Sequence, residues 1–221
     1  MKENLTELVF ILDKSGSMSG LEKDTIGGFN SMIADQKKEE GEVIISTVLF
    51  DTYVKVLHDR KDIRKVSKLT DKDYRPGGCT ALLDALGNAI SHIESVQMDM
   101  PEDERPAKTM FVITTDGQEN SSREYTYANI KKMVRKMQQK KDWEFLFLGA
   151  NMDAIGAAAD IGIRADRAVR YECDSAGTAL NYSVLSKTVG KFRAAKAECV
   201  GAALENWQED IEQDFETRKK A

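Results

Sequence analysis

Residues 10–20 read FILDKSGSMSG. An apolar run stops at Asp13, and Ser15, Ser17 and Ser19 then alternate with Lys14, Gly16 and Met18. A turn needs one such polar residue, and four oxygen-bearing side chains in seven positions imply that something is held there. The run itself, LTELVFILD over 5–13, is apolar without strict alternation, which marks a strand buried on both faces.

Outward from that strand, β-rich runs alternate with segments of helical period. LEKDTIGGFNSMIADQKKEE places Leu21, Ile26, Phe29, Met32 and Ile33 on a helical stripe. EVIISTVLF and TYVKVLHD are two strands separated by Asp51, as in a tight hairpin. CTALLDALGNAISHIESV carries Leu82, Leu83, Leu86, Ile90 and Ile93 on one face. AKTMFVITTD is a second buried strand ending in Asp, and YANIKKMVRKMQQKK is an amphipathic helix with Ile130, Val134 and Met137. WEFLFLGA is a strand, MDAIGAAADIG (152–162) a short helix and RAVRYE (167–172) a last strand. From residue 175 the chain reads as helix, with Leu204, Trp207, Ile211 and Phe215 at spacings of three and four and a fraying end, ETRKKA. That stripe either packs on the domain or forms an exposed docking surface.

Strands alternating with helices predict an α/β fold: one doubly wound, Rossmann-like, mostly parallel sheet with one antiparallel edge strand, helices on both faces and a C-terminal helical extension. The expected domain covers residues 5–200, with a helical tail over 201–221. In such folds ligands sit beyond the carboxyl ends of the strands, where strand order reverses.

With 221 residues, 41% apolar and 31% charged, the chain has an ordinary globular composition. A net charge of −5, with Lys and Arg read as dispersed, argues against nucleic acid as partner. No run approaches the ~20 apolar residues of a membrane span, and no signal-peptide pattern opens the chain. Cys79, Cys173 and Cys199 read as reduced thiols, which predicts a cytoplasmic location.

Asp13 and Asp116 each end a strand. Between them RPGGCTALLDAL is a glycine turn that delivers Thr80 to the start of a helix. Asp13, Ser15, Ser17, Thr80 and Asp116 together form an all-oxygen set suited to a hard cation, Mg2+ first, with Mn2+ or Ca2+ as alternatives. Singly, each has a plainer role: Asp13 and Ser15 shape a turn, Thr80 caps a helix and Asp-Gly is a turn dipeptide. In order and in place, D-x-S-x-S, G-G-x-T and T-D-G resemble the von Willebrand factor type A (VWA) domain and its metal-ion-dependent adhesion site (MIDAS). The resemblance is to an intracellular bacterial or phage type and is strongest over residues 5–170. It implies that the two serines and Thr80 ligate the metal directly, that the aspartates do so directly or through water, and that a partner protein's Asp or Glu completes the shell. It also implies switching in which Thr80 or Asp116 binds directly, coupled to the last helix.

The expected activity is therefore binding, not catalysis. A phosphoester hydrolase of the haloacid dehalogenase type needs a second acid two residues after the first Asp, where this chain has Ser15. There is no P-loop, no G-x-S-x-G and no G-x-G-x-x-G after the first strand. Cys79 near a helix start is a candidate thiol, and its plainer role is a small neighbour of Thr80. A scaffold with a purely structural metal is the other alternative. Asp51, Glu119, Asn120 and Arg123 are candidate rim residues.

Overall fold

The computed structural model describes residues 1–150 and 153–219. Six strands form one sheet: β1 (Lys2–Asp13), β2 (Glu42–Phe50), β3 (Val54–Asp62), β4 (Pro106–Thr115), β5 (Glu144–Ala150) and β6 (Ala168–Tyr171). Their order is β3-β2-β1-β4-β5-β6, parallel except for β3, which pairs antiparallel with β2. The expected doubly wound sheet with one antiparallel edge is what forms. Order reverses between β1 and β4, so the strands ending in Asp13 and Thr115 are neighbours, with Leu12 opposite Thr114.

The helices are α1 (Glu22–Gln36), α2 (Leu82–Asp99), α3 (Tyr127–Lys141), α4 (Ala154–Asp160), α5 (Ser175–Ala194), α6 (Val200–Ala203) and α7 (Glu209–Lys219). The strand period of two divides each central strand between two cores. Leu8, Phe10 and Leu12 of β1 join Phe29 and Met32 of α1 and Leu185 and Val189 of α5. Val9 and Ile11 join Leu86 and Ile90 of α2 and Ile130 and Val134 of α3. A strand covered on both faces has no solvent side, hence the continuous apolar reading of residues 8–12.

Element bounds differ from expectation in a few places. β1 starts at Lys2 rather than Leu5, and Lys2 bonds Glu42 at 2.8 Å. The hairpin turn spans Asp51–Tyr53, where Asp51 Oδ1 accepts the Tyr53 N–H at 2.7 Å, so β3 starts at Val54. The predicted start of the short helix at Met152 lies outside the described residues, and α4 begins at Ala154. Instead of fraying, the chain stays helical to Lys219, while the last two residues of ETRKKA lie outside the described residues.

The C-terminal region is not one long helix. α5 stops at Ala194, and Ala195 is extended. The cause is Lys108 of β4, whose buried ammonium donates to the carbonyls of Phe192 (3.3 Å), Arg193 and Ala195 (2.7 Å). A cation on three terminal carbonyls satisfies groups that a continuing helix would have used. The stripe itself folds back: Leu204, Trp207, Ile211 and Phe215 are all buried, so the packed reading holds and the exposed one is withdrawn. Trp207 Nε1 donates to the Asp166 carbonyl at 3.1 Å, and the Arg170 guanidinium lies 4.5 Å over the Phe215 ring.

His58 sits fully buried between Thr47 Oγ1 and Ser67 Oγ, each 3.0 Å from a ring nitrogen, and burial pushes its pKa below 6.5. A histidine depressed in the folded state contributes stability above its unfolded pKa, and that stability is lost as pH falls below it. We expect the melting temperature to drop between pH 7 and pH 5 more steeply in wild type than in His58→Gln, measured by calorimetric scans across that range.

Candidate metal centre

Three loops meet beyond the β1–β4 junction. Asp13, the last residue of β1, is 1% exposed. Its Oδ1 accepts the Ser15 N–H at 2.7 Å and its Oδ2 the Thr115 hydroxyl at 2.6 Å. Ser15 Oγ and Ser17 Oγ lie 3.0 Å apart, and Ser17 Oγ donates to Asp116 Oδ1 at 2.5 Å. The second loop arrives through Gly78, at φ +72°, a left-handed turn position where a Cβ would also stand 2.6 Å from Thr52 Oγ1. Its carbonyl accepts the Gly16 N–H at 3.1 Å, which fastens the threonine loop to the serine loop.

Gly117 locates the centre. A Cβ built there would lie 2.9 Å from Thr80 Oγ1, 3.3 Å from Ser17 Oγ and 3.7 Å from Ser15 Oγ. Three hydroxyls from two loops therefore surround one small space under the aspartate loop. All five residues singled out in the sequence, Asp13, Ser15, Ser17, Thr80 and Asp116, are brought together by these contacts. Thr80 does not cap α2: Ala81 holds the cap position, without a side-chain bond.

Burial raises the pKa of Asp13, an effect that bonds from Thr115 and Ser15 partly offset. Burial also raises Asp116, and Ser17 partly offsets that. The main causes of either shift include no cationic side chain. Two carboxylates whose charged forms burial disfavours, beside three hydroxyls, fit a divalent oxygen-seeking ion, which would balance their charge. Among the described residues no group of three or more His, Cys, Asp or Glu side chains is placed to hold a metal.

The rim residues turn out to be mostly braces. Asp51 pairs with Lys14. Glu119 accepts the N–H groups of Ser121 (2.9 Å), Ser122 (2.8 Å) and Leu83 (3.0 Å), so it also caps α2. Asn120 Oδ1 accepts the Thr80 N–H at 2.9 Å, and Asn120 N–H returns to the Thr80 carbonyl at 3.1 Å. Of the four, Asn120 and Arg123 are exposed. Sequence reasoning missed Thr115, Gly117 and Asp84. It gave Cys173 no place in the site either, yet Cys173 Sγ lies 3.7 Å from Asp116 Oδ2, and burial followed by the Asp116 charge pushes its thiol up to about 12. Cys79 is exposed, and both imidazoles bond elsewhere, His58 to Thr47 and Ser67 and His92 to Asp59.

Asp84 accepts the N–H groups of Arg123 (2.8 Å), Glu124 (2.9 Å) and Tyr125 (3.0 Å) from within α2. Asp84→Ala orphans three amides, and we expect it to cost about 3 kcal/mol, read as a lower urea midpoint at unchanged slope.

A mostly parallel sheet with a hydroxyl-and-carboxylate cradle at its switch point defines an α/β domain with a candidate cation site. The model of the von Willebrand factor type A domain matches residues 7–179, and the chain belongs to that family. Among similar solved structures is the pilus adhesin SpaC from Lactobacillus rhamnosus GG in its open conformation, at 11% identity and a TM-score of 0.62, covering 86% of this chain and 30% of that one. A mutant of the PilB minor pilin from Streptococcus sanguinis gives 11% identity and 0.60, covering 91% and 64%. Proximal thread matrix protein 1 from the mussel byssus, with a zinc-occupied MIDAS motif, gives 16% and 0.58, covering 85% and 46%. The chain thus spans less than two-thirds of the length of each of these structures, and the likeness is one of fold. No curated protein sequence matches the chain.

Proposed function

We propose that this chain is a non-catalytic, Mg2+-dependent protein-interaction module, in which Ser15, Ser17 and Thr80 hold the ion with Asp13 and Asp116, and a partner's Asp or Glu completes the shell. The convergence of three hydroxyls on the Gly117 space carries this reading. Two carboxylates roughly balance a divalent charge, and neutral hydroxyls leave it electrophilic toward an incoming carboxylate. The zinc-occupied MIDAS motif of the byssus protein supports a divalent ion in this reading.

A phosphoester hydrolase of the haloacid dehalogenase type is disfavoured because Ser15 stands where such an enzyme needs its second acid, and Asp13 itself is 1% exposed. A cytoplasmic location is supported by three free cysteines. Among the described residues no helix is long and apolar enough to cross a membrane.

The test is affinity capture from native lysate in Mg2+, in EDTA, and with Gly117→Ala in Mg2+. A partner held only by wild type in Mg2+ supports metal-mediated recognition. The same partner held in all three arms removes the metal from recognition and leaves it a structural role.

A further inference from the structure

Along the sequence the basic residues look dispersed, but six of them fall in one helix. α3 carries Lys131, Lys132, Arg135, Lys136, Lys140 and Lys141 and no acidic residue. The chain is at −5 overall and this helix alone contributes +6, so the remainder stands at −11. Ile130, Val134 and Met137 turn inward, which fixes the cations on the outer side, where all but Lys131 are exposed. Among the described residues only Lys136 has an ion-pair partner, Glu94 of α2 at 2.6 Å. A helix with this much unneutralised like charge destabilises itself through close neighbours and gains from an anion laid along it.

The strip begins beside the metal centre. Tyr127, the first residue of α3, lines a groove of about 320 Å³ together with Gly117 and Gln118. From there Lys132, Lys136 and Lys140 follow at successive turns, about 6 Å apart along the axis. Alternate residues of an extended peptide recur every ~6.7 Å, so acidic side chains at every second position match that ladder. Glu94 stands on the α2 side, paired with Lys136, and Asp160 of α4 lines the groove at the head of the strip.

We infer that the α3 strip receives an acidic, extended segment of the partner protein, running on from the carboxylate that reaches the metal. This rests on the metal-mediated reading above, and adds a second, salt-sensitive contact to it. Tethering the two contacts raises the effective concentration of each, so a weak electrostatic strip gains weight from the metal bond.

The probe is a dye-labelled peptide with one Asp followed by alternating Ser-Glu, titrated by fluorescence anisotropy at low and physiological salt, with Mg2+ or EDTA. The expected result is binding in Mg2+ that weakens about tenfold or more in the triple variant Lys132→Glu, Lys136→Glu, Lys140→Glu, and also weakens in EDTA. Because all three positions are exposed, circular dichroism should match wild type, and melting should shift only slightly, through the lost Lys136–Glu94 pair and the relieved repulsion along α3. Mg2+-dependent binding unchanged in the triple variant overturns the strip and leaves the metal reading standing. Binding lost in the triple variant but indifferent to EDTA supports the strip and overturns the metal reading. A labelled oligothymidylate binding more tightly than the peptide, and lost in the same variant, makes the strip a nucleic-acid surface and overturns the inference.

Discussion

Gly117→Ala should weaken divalent-cation binding about 100-fold while leaving the melting temperature in EDTA close to that of wild type. The new Cβ would lie 2.9 Å from Thr80 Oγ1 and 3.3 Å from Ser17 Oγ, inside normal contact for a carbon and an oxygen. Gly117 does not adopt a left-handed φ, so alanine brings no backbone strain. The crowded atoms are the ends of side chains, and Thr80 can rotate away at little cost to folding. That rotation removes a ligand, so the penalty falls on the metal and not on the fold. Calorimetric titration with Mg2+, together with Mn2+ spin resonance, reads the affinity. Wild-type affinity in the alanine variant would place the ion somewhere other than the space these hydroxyls enclose.

The sheet was legible because its chemistry is local. Residues 8–12 are apolar throughout since both faces are covered, and the stripes of α2 and α3 bury the residues their spacing selects. The five candidate ligands were legible for a similar reason, as short motifs at strand ends. The features that escaped depend on partners far apart in the chain. Lys108 terminates α5 across more than 80 positions, and nothing in RAAKAE, where the break falls, signals it, since Arg, Ala, Lys and Glu favour helix. Thr115 reaches Asp13 across 102 positions, through the β1–β4 pairing that only the assembled sheet provides. Asp84 stands among Leu82, Leu83 and Leu86 with no local sign of a partner, yet it holds the backbone of the loop that follows Asp116. The cations of α3 seemed dispersed when counted along the chain, and became a strip only when the burial of Ile130, Val134 and Met137 fixed which side faces out.

Asp13→Asn should shift stability in opposite directions with and without metal. Burial raises both Asp13 and Asp116 above the ordinary 3.8. A carboxyl raised in the folded state contributes stability that is present below its unfolded pKa and lost as pH rises through the folded value. Burial thus works against the charged form of both carboxyls in the metal-free protein, and a bound cation reverses that sign. Asparagine removes the charge without disturbing the bonding. Its Oδ1 keeps the Ser15 N–H, and its Nδ2 donates to Thr115 Oγ1, whose own proton turns to the Gly117 carbonyl 3.1 Å away. In EDTA the variant should melt above wild type. In Mg2+ wild type should gain about 2.7 kcal/mol at a hundredfold excess over Kd, and the variant should gain almost nothing, so the order of the two melting temperatures inverts. Scans at pH 7 with and without Mg2+ decide the matter. If Asp13→Asn is the less stable protein in EDTA as well, the Asp13 carboxylate anchors the Ser15 turn and the Thr115 hydroxyl in its own right, and the site's charge is structural before it is metal-binding.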